Sequence, residues 1–319
     1  MTKDATKKPL VVIAIGGNSL IKDKNHMTVL DQLRATGETS HYIAAVLKEG
    51  YRVIITHGNG PQVGFMLLRS EAAKNVIHQV PLESLVADTQ GATGFQICMT
   101  LTNELRRWAL QTNVVTLVTE VVVDPGDPAF DNPSKPIGPF YPEEDARMHE
   151  AKDKWTMRED AGRGWRRVVP SPEPVQIVEE PVIRKLIDDD FVVVTCGGGG
   201  IPVCYNEYGD LVGCPSVIDK DRVSSMLAAN LNADKFIIST AVDKVAIDFG
   251  TPKQRDIDTM TVAEAKEYME QGQFAEGSMK PKIQAAIDYL EKSGGEVIIT
   301  QPHHLRDALA GNQGTHILP

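Results

Sequence analysis

The chain has 319 residues, 42% hydrophobic and 24% charged, the composition of a globular protein with ample core. Its formal net charge of −10 excludes general nucleic-acid binding, which needs a basic surface, but allows a small anionic substrate held by local lysines and glycine turns. The polar start, Met1 to Pro9, has no apolar run of signal type, no later run is long enough to span a bilayer, and the four cysteines form no CxxC pair; a cytoplasmic protein with reduced thiols and no membrane partner is expected.

Residues 10–15 (LVVIAI) read as a buried parallel strand that empties into Gly16-Gly17-Asn18. A turn without Cβ atoms lets backbone N–H groups converge on an anion, and a following helix adds its positive end. A tight turn without ligand is the plainer alternative. Residues 29–49 have helical spacing and stop at Gly50. Residues 51–56 read as a second strand, running into His57-Gly58-Asn59-Gly60-Pro61-Gln62, where another helix opens. The spacing of Gly58, Gly60 and Gly64 departs from a dinucleotide fingerprint, so a nicotinamide site is not expected. Residues 81–111 form a long helical stretch in which Gly91 and Gly94 permit close approach of a neighbour, either core or a second copy. Residues 114–123 read as the next strand.

Between Asp124 and Pro174 prolines cluster, while Phe140, Tyr141, Trp155 and Trp165 favour order. This texture predicts an inserted lid subdomain over 124–174. Residues 176–187 read as helix and 191–195 as strand, leading through Cys196 into Gly197, Gly198, Gly199 and Gly200, a third glycine loop. Asp219-Lys220-Asp221 starts a helix, 235–240 is a strand, and Thr261 caps a helix with Glu264 at capping-box spacing. Gly277-Ser278 precedes Pro281-Lys282 and a further helix, and 296–300 is the final strand. The alternation predicts an α/β fold: an open, mostly parallel β-sheet sandwiched between helices, one domain over 1–319 with the small lid inserted. Ligands of such sheets bind at the carboxyl ends of strands, where all three glycine loops fall.

Three backbone cradles suit a small, multiply charged substrate or a transferring phosphoryl group. The sequence has no GxxxxGK[ST], no HRD…DFG set and no GxSxG elbow, which excludes P-loop enzymes, protein kinases and elbow-type hydrolases. The histidines show no metal-ligand spacing; His303-His304 reads as a loop pair, and no protein-derived metal site is expected. Phosphoryl transfer needs positioned positive charge. Lys135, Lys220 and Lys282 are the candidates because each adjoins a rigid element, whereas Lys22, Lys24 and Lys48 read as solvated surface charges.

The segments AIGGNSL (14–20), HGNGPQVG (57–64), PSKPIGPFY (133–141), RGWRRVVPSPEP (163–174), CGGGGIPV (196–203), VIDKD (217–221), VDKV (242–245) and EGSMKPK (276–282) run in one order along nearly the whole chain. On these segments the chain resembles the carbamate kinases of the amino-acid kinase superfamily. The resemblance implies the amino-acid kinase fold, ATP or ADP with Mg2+, a homodimer, and reversible in-line transfer between carbamoyl phosphate and ADP without a phosphoenzyme. Another acyl-phosphate-forming amino-acid kinase, or a non-catalytic metabolite sensor on the same fold, are the alternatives. By the same resemblance, Gly16, Gly17 and Asn18 would hold the transferring group. Gly58, Asn59, Gly60 and the Gly197–Gly200 loop would enclose the carbamate side. Lys220 and Lys282 would stabilise phosphate charge, with Asp221 orienting them. Asp243, Lys244, Val245, Met279 and Pro281 would surround the nucleotide. Some relatives, such as acetylglutamate kinases, carry a lysine before the first Gly-Gly turn. Here Ala14-Ile15 stands in that place, and Lys135 on the lid is the expected replacement. Two departures from the family pattern, Ala241 and Lys280, bear on the nucleotide side.

Overall fold

A computed structural model of the chain describes residues 7–17, 20–21, 25–160 and 162–319. The chain opens with β1 (Leu10–Ile15), α1 (Val29–Lys48), β2 (Arg52–His57), α2 (Gly60–Ala73) and α3 (Leu82–Arg107). β3 (Val114–Thr116) and β4 (Glu120–Val123) precede a small unit made of β5 (Lys135–Tyr141), α4 (Glu143–Asp153), β6 (Thr156–Glu159) and β7 (Trp165–Val169). β8 (Pro174–Ile177), α5 (Glu180–Asp188), β9 (Val192–Val194), β10 (Ile201–Tyr205), β11 (Leu211–Gly213) and α6 (Lys220–Asn230) follow. The last third holds β12 (Lys235–Ser239), β13 (Val245–Ile247), β14 (Arg255–Ile257), β15 (Thr259–Thr261), α7 (Val262–Glu270), α8 (Lys280–Ser293), β16 (Glu296–Thr300), α9 (Leu305–Leu309) and β17 (Thr315–Leu318).

The main sheet has eight strands in the order β15-β17-β16-β12-β1-β2-β9-β3. Neighbours pair in parallel except β16 and β17, so β17 and β15 form a reversed edge. β1 lies near the middle with both faces covered, which is why its apolar run is continuous. Leu10, Val12 and Ala14 enter one core with Val223 and Leu227 of α6, Ile283 and Ile287 of α8 and Ile183 of α5. Val11, Ile13 and Ile15 enter the other, with Ile43 of α1, Ile97 and Leu101 of α3 and Leu305 of α9. Strand alternation thus distributes one hexapeptide between two helical layers.

The stop at Gly50 and the capping box at Thr261 fall where expected, and Thr28 adds a cap that was not anticipated. Thr28 and Asp31 form a capping box at the start of α1, and Gly50, at φ +92°, follows its end. Thr261 and Glu264 form another at α7. Gly94 of α3 brings the helix so close to β3 that a Cβ there would meet Thr116 Oγ1 at 2.2 Å, whereas Gly91 faces open space.

Three expectations need correction. The stretch 114–123 is two strands in two sheets: β3 joins the main sheet, and β4 joins β11-β10-β4-β8. The break lies at Thr119, whose N–H donates to Gln90 Oε1 (2.7 Å) while its carbonyl accepts from Ile201 N–H (2.8 Å). The stretch 176–187 is not all helix: its start completes β8, antiparallel to β4, and α5 begins at Glu180 with Pro181 in its first turn. The strand 296–300 is followed by β17, which pairs antiparallel with β16 and parallel with β15, the edge strand at that end.

The small unit is a three-stranded antiparallel sheet, β5-β7-β6, with α4. Its aromatics serve internal order. His149 stacks on Trp155 with ring centres 4.4 Å apart, Arg167 lies over Trp155 and Arg147 over Trp165. Ile137 and Val169 pack with Val63 and Leu67 of α2 in a separate small core.

Candidate active site

The three glycine turns end β1, β2 and β9, adjacent strands of the sheet, so they meet at one rim. Gly16 N–H is engaged by the Ser239 carbonyl (3.1 Å), which fixes the first turn against β12. Asn18 lies outside the described residues. A Cβ on Gly58 would come within 3.6 Å of Gly17 N and 3.4 Å of Lys220 Cδ, so the first turn, the second turn and Lys220 are immediate neighbours. Asn59 ends the second turn and precedes α2. Its side chain gives α2 no cap and donates instead to Thr89 Oγ1 of α3 (2.8 Å). Gly60 opens α2, and no acidic residue lies in the first turn of α2 or α8, so neither helix has an acidic side chain countering its positive end there.

The third loop is held from below. Gln90 of α3 donates to the carbonyls of Thr119 (3.1 Å) and Gly197 (3.0 Å). A Cβ on Gly197 would meet His57 Nε2 at 2.4 Å, and one on Gly198, which sits at φ +69°, would meet Asn59 Nδ2 at 2.1 Å. A Cβ on Gly199 would meet the Ile218 carbonyl at 2.3 Å, and one on Gly200 would meet Val121. These residues are glycine because neighbouring side chains and backbone fill the space. Cys196, before the loop, is itself left-handed at φ 51°; burial pushes its thiol up to about 12, so it remains a packing thiol.

Charge gathers at the start of α6. Asp219 caps the helix, accepting from Asp221 N–H through Oδ1 (2.8 Å), while its Oδ2 accepts from Lys135 Nζ (2.6 Å). Asp221 is buried and bridges two lysines: Oδ1 accepts from Lys220 Nζ (2.5 Å) and Oδ2 from Lys282 Nζ (2.9 Å). Lys282 comes from the first turn of α8 and Lys135 from β5, so three elements distant in sequence deliver ammonium groups to one pair of carboxylates. Burial raises the carboxyls of Asp219 and Asp221, but lysines override it and hold both below the usual carboxylate range: Lys135 first for Asp219, Lys220 and Lys282 for Asp221. Burial lowers Lys220 from its ordinary value, opposed by Asp221 and reinforced by Lys282. Burial also lowers His57 to about 4, partly offset by the Gly58 carbonyl, with Lys220 acting in the same direction as burial, so this imidazole is neutral at neutral pH. Such an arrangement can hold a migrating anion between N–H donors and ammonium groups without first assembling them.

The residues expected around a nucleotide are more dispersed. Asp243 is exposed and contacts His304, Nε2 to Oδ1 3.3 Å. Lys244 pairs with Asp258. Val245 is fully buried and its N–H donates to Thr315 Oγ1 (2.8 Å), so its side chain belongs to the core. Met279 caps α8 and packs against the core, and Pro281 lies in the first turn of α8. Lys280 pairs with Glu276 (2.6 Å), and Ala241 is exposed.

Sequence reasoning passed over Asp219, His57, Thr89 and Gln90. Asp219 and His57 carried a signal, since each adjoins a motif residue. Thr89 and Gln90 carried only a weak one, polar residues within a long helical pattern.

The amino acid kinase family profile matches residues 9–301. A carbamate kinase from Thermococcus kodakarensis is 45% identical over 97% of this chain and 98% of its own length. An Escherichia coli protein described as carbamate kinase-like protein YahI is 46% identical over 98% of this chain and 99% of its own. Among solved structures, carbamate kinase from Giardia lamblia bound to AMP-PNP superposes with a TM-score of 0.91 at 40% identity, covering 98% of both chains.

Proposed function

This chain belongs to the amino acid kinase family and, within it, to the carbamate kinases, and from that premise we propose how it works. It catalyses carbamoyl phosphate + ADP = ATP + carbamate, the carbamate then breaking down to ammonia and carbon dioxide. Toward ATP, a terminal β-phosphate oxygen of ADP attacks the phosphorus of carbamoyl phosphate. The bond from phosphorus to the carbamoyl oxygen breaks, and its electron pair stays on carbamate. No protein nucleophile and no proton transfer are required.

The observation that carries this reading is the convergence of Lys220 and Lys282 on one buried carboxylate, Asp221, beside Gly58 and Gly17. Two ammonium groups held this way oppose the charge on a phosphoryl group in transit while Asp221 prevents their mutual repulsion. Gly17 and Asn18 supply donors to that group, and Gly16, its N–H held by the Ser239 carbonyl, fixes the turn that presents them. Gly58, Asn59, Gly60 and the Gly197–Gly200 loop enclose the carbamate end. Asp243, Lys244, Met279 and Pro281 border the nucleotide, with Val245 contributing through its place in the core beneath.

Lys135 reaches Asp219 from the small unit, and we assign that unit, within 124–174, as the lid. Tyr141 donates to Glu71 (3.4 Å) and Lys74 pairs with Asp153 (3.7 Å), which latches the unit to α2. Opening would withdraw Lys135, so closure and complete charge stabilisation go together.

Mg2+ is expected with the nucleotide. The oxygens of Asp219 and Asp221 already accept from lysines or backbone, so these two carboxylates form no free cage; this fits a hard cation that keeps water and phosphate ligands. The phosphates would hold it, with Asp219 and Asp221 the carboxylates at hand, and when bound it offsets charge on the phosphate oxygens.

A homodimer is proposed on the exposed apolar side chains Val29 and Leu30 of α1 and Phe95 of α3, helices that pack together. A cytoplasmic location is proposed on the four free thiols. No helix among the described residues is long and apolar enough to cross a membrane.

The decisive experiment is ATP formation from ADP and carbamoyl phosphate with Mg2+, run beside acetyl phosphate, acetylglutamyl phosphate and aspartyl phosphate as donors. Turnover confined to carbamoyl phosphate is expected. Binding without turnover, or preference for another acyl phosphate, overturns the reading.

A further inference from the structure

β12 and β16 are adjacent and parallel, so the segments after them emerge side by side. One segment carries Asp243; the other carries His303 and His304 in the turn Pro302–His304. The carboxylate of Asp243 and a ring nitrogen from each histidine all lie within 4.8 Å of one another. His304 Nε2 stands 3.3 Å from Asp243 Oδ1, the two imidazole centres are 4.0 Å apart, and Tyr42 of α1 packs beside His303, ring centres 6.4 Å apart. The phosphoryl centre uses neither histidine.

We propose that Asp243, His303 and His304 form a binding site for a divalent transition metal of the Zn2+ class, with a fourth position open to water. One carboxylate and two imidazoles are a donor set that zinc accepts and that Mg2+, which prefers oxygen donors, does not favour. With bonds of about 2.0–2.2 Å, a tetrahedral zinc spaces its donors roughly 3.3–3.6 Å apart. The Asp243–His304 pair already has that spacing, and the His303 nitrogen lies within 4.8 Å of both donors. A hydrogen bond from His304 to Asp243 accounts for one ring only. A metal binds an imidazole through a ring-nitrogen lone pair and can take both rings at once. Sequence spacing gave no hint, because the carboxylate arrives from another strand. Once filled, the site ties the 241–244 loop after β12 to the 302–304 turn after β16.

The experiment uses the full chain without an affinity tag, stripped with chelator and dialysed against ZnCl2 alone, with bound metal counted per chain and Tm recorded. One Zn2+ per chain with micromolar or tighter affinity and a raised Tm is expected. The double variant His303→Ala/His304→Ala weakens binding by roughly a hundredfold or more, and His304→Gln alone by roughly tenfold. Cys204→Ser/Cys214→Ser leaves binding intact, which separates this site from thiol capture. Absence of stoichiometric binding, equal affinity in the histidine variants, or loss in the cysteine variant overturns the proposal. If the double variant does not fold by circular dichroism, His304→Gln decides. No nucleotide or carbamoyl phosphate is present, so failure here leaves the kinase reading untouched, and failure of the kinase assay leaves this site untouched.

Discussion

The proposed phosphoryl centre and the proposed nucleotide-side rim both pair lysines with carboxylates, and the pairs differ in what surrounds them. Asp221, between Lys220 and Lys282, is 4% exposed. The rim's Asp258 and Glu276, partners of Lys244 and Lys280, are 80% and 82% exposed. Charges in water are screened and cheap to rearrange, so an exposed pair positions little. Charges withdrawn from water hold one another in place and act strongly on whatever anion enters. The centre is therefore rigid and preorganised, and the rim is adaptable.

The hardest test of this contrast is Lys220→Ala, expected to lower kcat by about 10²–10³-fold, the scale for losing one preorganised stabiliser. Near-normal turnover in steady-state assays would remove Lys220 from the mechanism and the contrast with it. Next comes pH. His57 is neutral in the folded protein down to about 4 against an ordinary 6.5, so between those values the unfolded chain binds the extra proton. Stability should be fully present above pH 6.5 and fall as pH drops toward 4, by roughly 3 kcal/mol from this group. Urea unfolding at several pH values measures it, and His57→Gln should flatten the slope. Asp219 and Asp221 act in a separate, lower window, because their folded values lie below the usual carboxylate range.

Lys135→Ala should cost about tenfold in kcat, less than Lys220→Ala, because the lid contributes charge only when closed. An equal loss for the two lysines would mean that closure is not a separate event. At the small end, Lys280→Ala should change the KM for ADP by no more than about twofold, since an exposed pair with Glu276 commits its charge elsewhere. A large rise in KM would make the rim as preorganised as the centre.

The two regions also differ in how plainly they could be read. The glycine turns stood out because backbone donors need bare residues at strand ends, and that need is written in consecutive positions. Lys135, Lys220 and Lys282 were legible as candidates through the rigid elements beside them. Gln90 and Thr89, which hold the third loop and Asn59, gave almost no signal, because a buried polar residue in a helix looks like an exposed one until its neighbours are known. Likewise, 114–123 is dominated by valine, and the turn at Thr119 depends on partners from α3 and β10.

Composition, strand-to-turn motifs and capping signals are local, so the chain alone determined the α/β class, the three glycine turns, the stop of the first helix at Gly50 and the helix start at Thr261. Which charges meet is not local. The pairing of Lys282 with Asp221, 61 residues away, and of Lys135 with Asp219, 84 residues away, follows from the packing of α8 on α6 and of the small unit on α2. Likewise, only the adjacency of β12 and β16 places two histidines beside Asp243. A side chain's chemistry is set by its residue type, but its strength depends on the burial and partners that folding supplies.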